Sequence, residues 1–308
     1  MLRYTISRII QLLPTLFGIY TLVFFMMRVL PSDPALYLAG FRDDAETLSN
    51  LRRQLKLDEP ILDQYTTFLV NSLQGDLGVS YVQRRPVTEL LSITFPKTAV
   101  LALTSTLFAA GVGIPLGILS AIKKNSFWDF ISRVVALIGV SIPVFYLAIM
   151  LQIVFGVQLR WFPISGIGFD RHLILPAICA GLGMLALLTR MTRSSLIETF
   201  TQDYVRTARS KGLRNRRIVT LHALRNSLLP VITVWGTSIA GLLSGTLLVE
   251  EIFSWPGMGR LLVDSISTRD YPMVQGLIIV FALIYAGVNL TIDLLYPFID
   301  PRIRYRGS

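Results

Sequence analysis

The chain has 308 residues, of which 53% are hydrophobic and only 16% are charged, with a net charge of +10. Soluble domains average about 45–50% apolar and about 25% charged residues, so this composition excludes an ordinary soluble enzyme. The single cysteine, Cys179, lies in an apolar run, which excludes an intramolecular disulfide framework and a cysteine metal site. The positive charge fits either nucleic-acid binding or the basic cytoplasmic loops of a membrane protein.

Six runs without charged residues predict six transmembrane helices, because about 20 residues cross the roughly 30 Å hydrocarbon layer. The runs cover residues 9–27, 99–122, 134–157, 173–189, 227–249 and 273–292. We therefore predict an all-α membrane protein with an N-terminal helix in residues 1–30 and a five-helix core in residues 99–308. Residues 31–98 carry mixed charges among apolar residues at helical spacing, and they predict a small helical segment outside the membrane.

The distribution of charge predicts the orientation of these helices. With the N-terminus in the cytoplasm, the cytoplasmic segments hold seventeen Lys and Arg against four Asp and Glu. The opposite side then holds eleven basic against fourteen acidic residues. This excess follows the positive-inside rule, so both termini are expected in the cytoplasm and nucleic-acid binding is unnecessary.

Motifs for catalysis are missing from the sequence. There is no HExxH, CxxC or GxSxG motif, and the two histidines, His172 and His222, lie at predicted membrane edges. There is no GxxxxGK[ST] loop to hold a nucleotide, so we expect no enzyme activity, cofactor or metal in this chain. Any energy from ATP would come from partner subunits that bind ATP and magnesium.

Other classes of membrane protein remain as alternatives at this point. An ion-coupled secondary transporter usually carries ionisable residues inside the membrane, and none of the six runs has one, so this class is the weaker alternative. An ATP-independent channel and a structural scaffold also remain. Glycine and proline residues within the runs fit either close helix packing or bending around a pathway. They occur at residues 111–115, 141–143, 181–183 and 241–245.

The predicted cytoplasmic loop at residues 190–226 contains a short helix. Asp203 is a candidate N-terminal cap, Arg209 and Lys211 match the helix dipole in the last turn, and Gly212 is a stop signal. Tyr204 and Lys211 share one helical face with a small residue between them, Ala208 at its centre. From the residues alone, the alternative is a basic loop that holds topology or binds anionic lipid.

This loop resembles the EAA motif of bacterial ABC importer permeases, which docks on the ATPase as a coupling helix. The matching positions are Arg206, Thr207, Ala208 and Gly212, of which the last two keep the general consensus. The departures, including residues 222–225 in place of the usual Ile-x-Leu-Pro, resemble the peptide and nickel branch of the family. Further motifs of that branch occur at residues 30–34, 57–60, 75–80, 85–87, 249–260, 269–272 and 300–302.

The resemblance implies a type I importer permease fold and the B-type permease subunit of a dipeptide, oligopeptide or nickel importer. It implies a bacterial inner-membrane location, a homologous second permease as heterodimer partner, two ATPase subunits and an extracytoplasmic substrate-binding protein. Cargo is then a peptide, with a nickel or metal chelate as the alternative. The residues implied for coupling to the ATPase are Asp203, Tyr204, Arg206, Thr207, Ala208, Arg209, Lys211 and Gly212.

The last outer loop is a candidate gate. Pro256 and Gly257 favour a type II turn, and Trp255 is suited to the membrane interface, so the loop would lie rigidly over the pore mouth. The candidate residues are Glu250, Glu251, Trp255, Pro256, Gly257 and Arg260. The alternative is an ordered connector without a gating role. Thr104, Ser105 and Asn289 are candidates for the pore lining, with packing hydrogen bonds as the alternative.

Overall fold

The computed structural model describes residues 2–29, 33–39, 44–168 and 170–299. The predicted motif residues at 30–32 and 300–302 lie outside this range. The chain divides into two compact units, the first comprising Met1–Ala99 and Trp255–Ala286 and the second comprising Val100–Ser254 and Gly287–Ser308. Fourteen α-helices occur in the described residues, and three of them continue into or out of two π-helical stretches.

The first 122 residues contain one long helix, three short helices and a second long helix. These are α1 (Leu2–Val29), α2 (Pro34–Ala39), α3 (Ala45–Gln54), α4 (Ile61–Leu73) and α5 (Val87–Ile122). The three short helices confirm the helical character predicted for the segment after the first membrane helix. The second long helix begins twelve residues before the predicted membrane run, because Val87 follows directly on the bridge between Val79 and Pro86.

The remaining helices follow in chain order. They are α6 (Phe127–Ser141), α7 (Val144–Leu151, continuing as a π-helix over Gln152–Gln158), α8 (Arg171–Phe200), α9 (Asp203–Ser210), α10 (Asn215–Arg217, then a π-helix over Ile218–Ala223), α11 (Leu224–Gly245), α12 (Leu247–Ile252), α13 (Met258–Ser267) and α14 (Tyr271–Ile299). The predicted loop at residues 190–226 is therefore mostly helical, because α8 extends to Phe200 and α10 begins at Asn215. Only residues 201–214 separate these two helices.

The predicted third membrane helix is broken. Helix α6 ends at Ser141, α7 begins at Val144, and the two are bent by 111°. Pro143 has no N–H to donate and restricts Ile142 to an extended conformation (φ −84°, ψ 125°), so the predicted third helix bends here, one of the two alternatives left open for residues 141–143. Within the described residues, five single helices are long and apolar enough to span a membrane, and the bent pair provides a sixth span if counted as one.

Glycines in the second unit allow its helices to approach closely. A Cβ on Gly181 would lie 2.7 Å from the carbonyl oxygen of Ser105, and one on Gly113 would lie 2.8 Å from that of Leu185. Both distances are too short for a real Cβ, so these two positions serve close helix packing. Gly111 has nothing within 4 Å of its notional Cβ, so it does not share this role.

A buried aspartate just before α14 is hydrogen-bonded to the segment between α4 and α5, within the first unit. Asp270 is 2% exposed and accepts a hydrogen bond from the Ser80 hydroxyl at 2.5 Å, although the two residues are 190 positions apart. Its carboxylate also accepts from the backbone N–H groups of Tyr81 at 3.0 Å and Val82 at 3.3 Å. Burial raises the pKa of Tyr81 to about 12. These contacts fix the turn that precedes α5.

A second buried aspartate fixes the turn between α5 and α6. Asp129 is fully buried and accepts from the hydroxyl of Ser120 at 2.5 Å and from the backbone N–H of Asn125 at 2.9 Å. The Arg193 guanidinium of α8 donates to both carboxylate oxygens, at 2.8 and 3.1 Å. A buried carboxylate requires such partners, and this ion pair joins α6 to α8.

Candidate functional site

The first candidate site is the segment between α8 and α10, residues 201–214, here called the coupling segment. Its central element is the eight-residue helix α9. Asp203 is the first helical residue rather than the cap, so the predicted capping role is wrong. Gln202 occupies the cap position in an extended conformation (φ −70°, ψ 148°) without a side-chain hydrogen bond. The Asp203 carboxylate still lies in the first turn, where a negative charge favours the helix dipole.

The end of α9 confirms the predicted stop. Gly212 has a φ of +76°, a conformation that L residues with a side chain rarely adopt. The N–H of Gly212 donates to the carbonyl of Arg209 at 2.9 Å, and that of Leu213 donates to the carbonyl of Ala208 at 3.4 Å. This pair of bonds is the Schellman arrangement that ends many helices with a glycine. The chain then turns sharply toward α10.

The inner face of α9 is apolar and packs against its own chain. Val205, Ala208 and Ile218 are 0, 5 and 1% exposed and form a small cluster, against which Phe200 and Leu213 pack. The prediction that Ala208 is the exposed centre of a docking surface is therefore wrong. Ala208 faces inward with Val205, whereas Tyr204 and Lys211 are exposed, so the three residues do not form one face.

The outer face of α9 is charged. Arg206 and Asp203 are highly exposed, and their closest nitrogen and oxygen lie 3.8 Å apart, an arrangement that contributes little stability in water. Thr207, Arg209 and Lys211 are also exposed. Tyr204 lies at the edge of this face, and its hydroxyl accepts a hydrogen bond from Asn226 of α11 at 3.0 Å. The outer face of α9 is therefore predominantly basic.

The second candidate site, residues 250–260, is divided by the boundary between the two units. Glu250 is fully buried in α12 and accepts a hydrogen bond from the Thr246 hydroxyl at 3.0 Å. Glu251 is partly buried, and its carbonyl accepts from the N–H of Ser254 at 3.1 Å. On α13, a nitrogen of Arg260 lies 3.9 Å from the Asp264 carboxylate.

The three residues 255–257, here called the Trp255 turn, differ from the prediction. Trp255 is completely buried rather than at an interface, and its indole Nε1 donates to the carbonyl of Lys97 at 3.0 Å. Gly257 is extended (φ −96°, ψ −171°) and is the N-cap residue before α13, so the predicted type II turn is wrong. The left-handed residue of this region is Ser254, with a φ of +52°. The turn is fixed by burial.

The predicted pore-lining residues occupy different environments. Ser105 is completely buried and its hydroxyl donates to the carbonyl of Leu101 at 2.7 Å, so it is a packing residue within the chain. Thr104 is half-buried and its hydroxyl donates to the Val100 carbonyl at 2.7 Å. Asn289 on α14 is also half-buried.

One polar residue that the sequence reasoning did not single out joins three segments of the second unit. The Gln152 side-chain amide donates to the carbonyl of Ile164 at 2.7 Å and to that of Ile252 at 3.0 Å. Gln152 was detectable in the sequence as the only amide in an apolar run of 24 residues.

Near the start of α8, the His172 ring lies 2.8 Å from the Asp170 carboxylate, and this hydrogen bond lowers the pKa of Asp170. In the described part of the chain, no three His, Cys, Asp or Glu residues are grouped to hold a metal ion.

These features define a class of protein: a helical membrane permease with a short helix presented between two of its long helices. The chain belongs to the binding-protein-dependent transport system inner membrane component family, whose model matches residues 113–305. The N-terminal component of the same transport systems matches residues 1–102. The chain is a multi-pass inner-membrane permease subunit of an ABC importer. Membership of this family implies ATPase and binding-protein partners. The chain is thus a transport subunit rather than an enzyme.

Similar proteins cover the entire chain. The glutathione transport system permease protein GsiC of Escherichia coli is 42% identical over 306 residues, which are 99% of this chain and 100% of that protein. The GsiC protein of Shigella flexneri gives the same values. The similarity therefore includes residues 31–98 as well as residues 99–308.

Solved structures support the fold. The inward-facing MetNI methionine ABC transporter matches with a TM-score of 0.55 at 15% identity, covering 69% of this chain and 97% of that chain. The structure of an amino acid ABC transporter with histidines matches with a TM-score of 0.51 at 16% identity, covering 70% and 94%. The chain therefore has the type I ABC importer permease fold.

Proposed function

We propose that this chain forms half of a translocation pathway for short peptides, including glutathione, and pairs with a homologous second permease. The observation that carries this proposal is the 42% identity over 306 residues to permeases named for glutathione transport. Selection of the cargo resides mainly in the binding protein, so the same permease passes other small peptides. ATP and magnesium are bound by the ATPase subunits, and this chain holds no cofactor.

The coupling segment is the proposed contact with an ATPase subunit. Its basic outer face, with Arg206, Arg209 and Lys211, is available to an acidic partner surface. Its apolar inner face packs on Phe200 and Ile218, at the end of α8 and in the π-helix before α11. A displacement of α9 would therefore be passed to both helices, because the cluster that seats it is closely packed.

The proposed cycle is alternating access. The loaded binding protein docks on the segment after α1, ATP closes the ATPase subunits, and α9 transmits that movement to the membrane helices. The loop at residues 250–260 remains a proposed gate, and the buried Trp255 supports a rigid attachment of this loop within the first unit. Thr104 and Asn289 remain proposed lining residues.

Both termini are proposed to lie in the cytoplasm, as the charge distribution favours. Single cysteines introduced by Ser49→Cys and Asn215→Cys, each in a Cys179→Ser background, test this orientation. Ser49 lies in α3, which the proposed orientation places outside, and Asn215 begins α10, which it places in the cytoplasm. A membrane-impermeant maleimide should therefore label the first cysteine from outside and the second only after permeabilisation. Labelling of both from the same side would contradict the topology.

Transport by the assembled complex tests the function. The two permeases and the ATPase subunits are reconstituted in proteoliposomes with the binding protein, and uptake of labelled glutathione, a dipeptide and a nickel–histidine chelate is measured. We expect ATP-dependent uptake of glutathione or the dipeptide. Uptake of the nickel chelate alone would overturn the cargo assignment, and uptake that continues with ADP would overturn coupling to ATP.

A further inference from the structure

A cavity of about 390 Å³ lies between α6 and α8 in the second unit, away from the coupling segment. Pockets that bind small molecules have volumes of about 300–1,000 Å³, so this cavity is large enough for a charged headgroup. Three arginines line it: Arg133 of α6, and Arg190 and Arg193 of α8. None of the proposed functional residues takes part in it.

The arginines lie together because the two helices run antiparallel. Asp129 near the start of α6 pairs with Arg193 near the end of α8, whereas Gly139 near the end of α6 packs on Leu182 and Ala186 earlier in α8. The lining of the cavity is consequently basic toward one end of the pair. It is apolar toward the other end, where Ala136, Leu137, Val140 and Ala186 contribute.

The charge around the cavity is not balanced by the chain itself. Within the described residues, no acidic side chain lines the cavity. Asp129 beside it is occupied by Arg193, and a nitrogen of Arg133 lies 3.8 Å from the same carboxylate. Arg190 is exposed and forms no ion pair with any residue that the structure describes. Arg133 and Arg193 therefore share one carboxylate and Arg190 has none among the described residues, which leaves a net positive site.

The neighbouring surface is suited to acyl chains. Leu137 and Val140 are 66 and 64% exposed, and they continue the helical face that begins with Arg133. The aromatic residues Phe127 and Trp128, at the basic end of α6, are also exposed, as is common where a helix crosses the membrane interface. The cavity thus joins a basic recess to an exposed apolar surface.

We infer that this cavity binds an anionic diacyl phospholipid of the membrane. The phosphate lies against Arg133, Arg190 and Arg193, and the acyl chains lie along Leu137 and Val140. Charge complementarity selects an anionic over a zwitterionic headgroup, as in other basic pockets between membrane helices. Because α8 leads directly into the coupling segment, the bound lipid contacts one of the two helices that seat α9.

Native mass spectrometry of the complete complex tests the inference. The complex is released from mild detergent after equilibration with phosphatidylglycerol and phosphatidylethanolamine, and the lipids retained at increasing collision energy are counted. We expect preferential retention of phosphatidylglycerol by the wild type. Arg190→Gln should reduce that retention by about fivefold, the effect of one cation near an anionic surface. Arg225→Gln, an exposed arginine of α11 outside the cavity, is the matched control and should leave it unchanged.

Two further measurements separate a lipid from a free phosphate. Leu137→Asn should weaken retention of phosphatidylglycerol, because it removes apolar surface that only acyl chains use. Millimolar inorganic phosphate should not displace the lipid. Equal retention of the two lipids by the wild type, or equal losses in Arg190→Gln and Arg225→Gln, would overturn the inference. Displacement by inorganic phosphate together with an inert Leu137→Asn would replace it with a simple anion site.

Discussion

The coupling segment and the Trp255 turn are both short stretches between helices, and they use their side chains in opposite ways. In the coupling segment, three small or medium apolar residues seat a helix whose remaining side chains face outward. In the Trp255 turn, the largest side chain is completely buried, and its N–H is used by a backbone carbonyl within the same unit. The first stretch leaves its charged side chains exposed, whereas the second buries its largest side chain within its own unit.

The largest effect is expected for Trp255→Ala. Truncating a fully buried tryptophan costs about 3–5 kcal/mol of unfolding free energy, because it leaves a cavity and an unpaired carbonyl at Lys97. Trp255→Phe retains most of the volume and should cost clearly less. Denaturation in detergent followed by circular dichroism measures both. Wild-type stability of Trp255→Ala would show that the indole does not anchor the turn. Raised ATP hydrolysis without binding protein in the same variant would support the proposed gate.

The next effect is expected for Ala208→Trp. Overpacking a well-packed site costs about 1–3 kcal/mol, and here it acts on the seat of α9 rather than on the partner interface. Stability, ATPase co-purification and transport should all fall. Thr207→Trp, on the exposed outer face, should reduce co-purification while stability is retained. The comparison would fail if the two variants behaved alike in both measurements.

A smaller effect is expected at Gly212. Its notional Cβ has no neighbour within 4 Å, so the cost of a substitution comes from the backbone conformation alone. Gly212→Val should cost about 1–2 kcal/mol, because the left-handed conformation is unfavourable for a residue with a branched side chain. Gly212→Asn should cost less, since asparagine adopts this conformation more readily. Equal losses for the two would mean that contact with a partner, not φ, restricts the position.

The smallest effect on stability is expected for the double variant Arg206→Gln with Arg209→Gln. Exposed charges contribute within about 0.5 kcal/mol to folding, so the unfolding free energy should hardly change. Affinity for the ATPase should fall by about fivefold or less per charge, with a weaker dependence on salt. Binding of the purified ATPase at two ionic strengths measures this. An unchanged affinity would remove the outer face of α9 from the docking surface.

Some of these features could be predicted from the sequence alone. The apolar runs predicted the membrane helices because length and composition alone determine which segments can span a bilayer. The stop at Gly212 was also predictable, because a local pattern determines a helix end. The break at Pro143 follows from the same kind of local rule, although the residues alone did not decide between bending and close packing there.

The burial of Ala208 and Trp255 was not predictable in the same way. Which face of a short helix turns inward depends on residues such as Ile218 that follow it in the chain. The partner of the Trp255 indole, Lys97, lies 158 positions away. The local sequence does not distinguish a tryptophan at the membrane interface from a buried one, because that depends on the tertiary packing. The family resemblance identified both stretches but did not show which side chains face outward.

The hydrogen bonds of Asp270 also have a consequence for the order in which the protein is made. The turn at Ser80 leaves the ribosome 190 residues before the aspartate that holds it, an interval of about 10–40 seconds at ordinary rates of synthesis. Until then the backbone N–H groups of Tyr81 and Val82 lack the carboxylate that accepts from them. This turn of the first unit is therefore completed only after translation reaches the final membrane helix. A chain truncated before that helix would insert its early spans and leave this turn open.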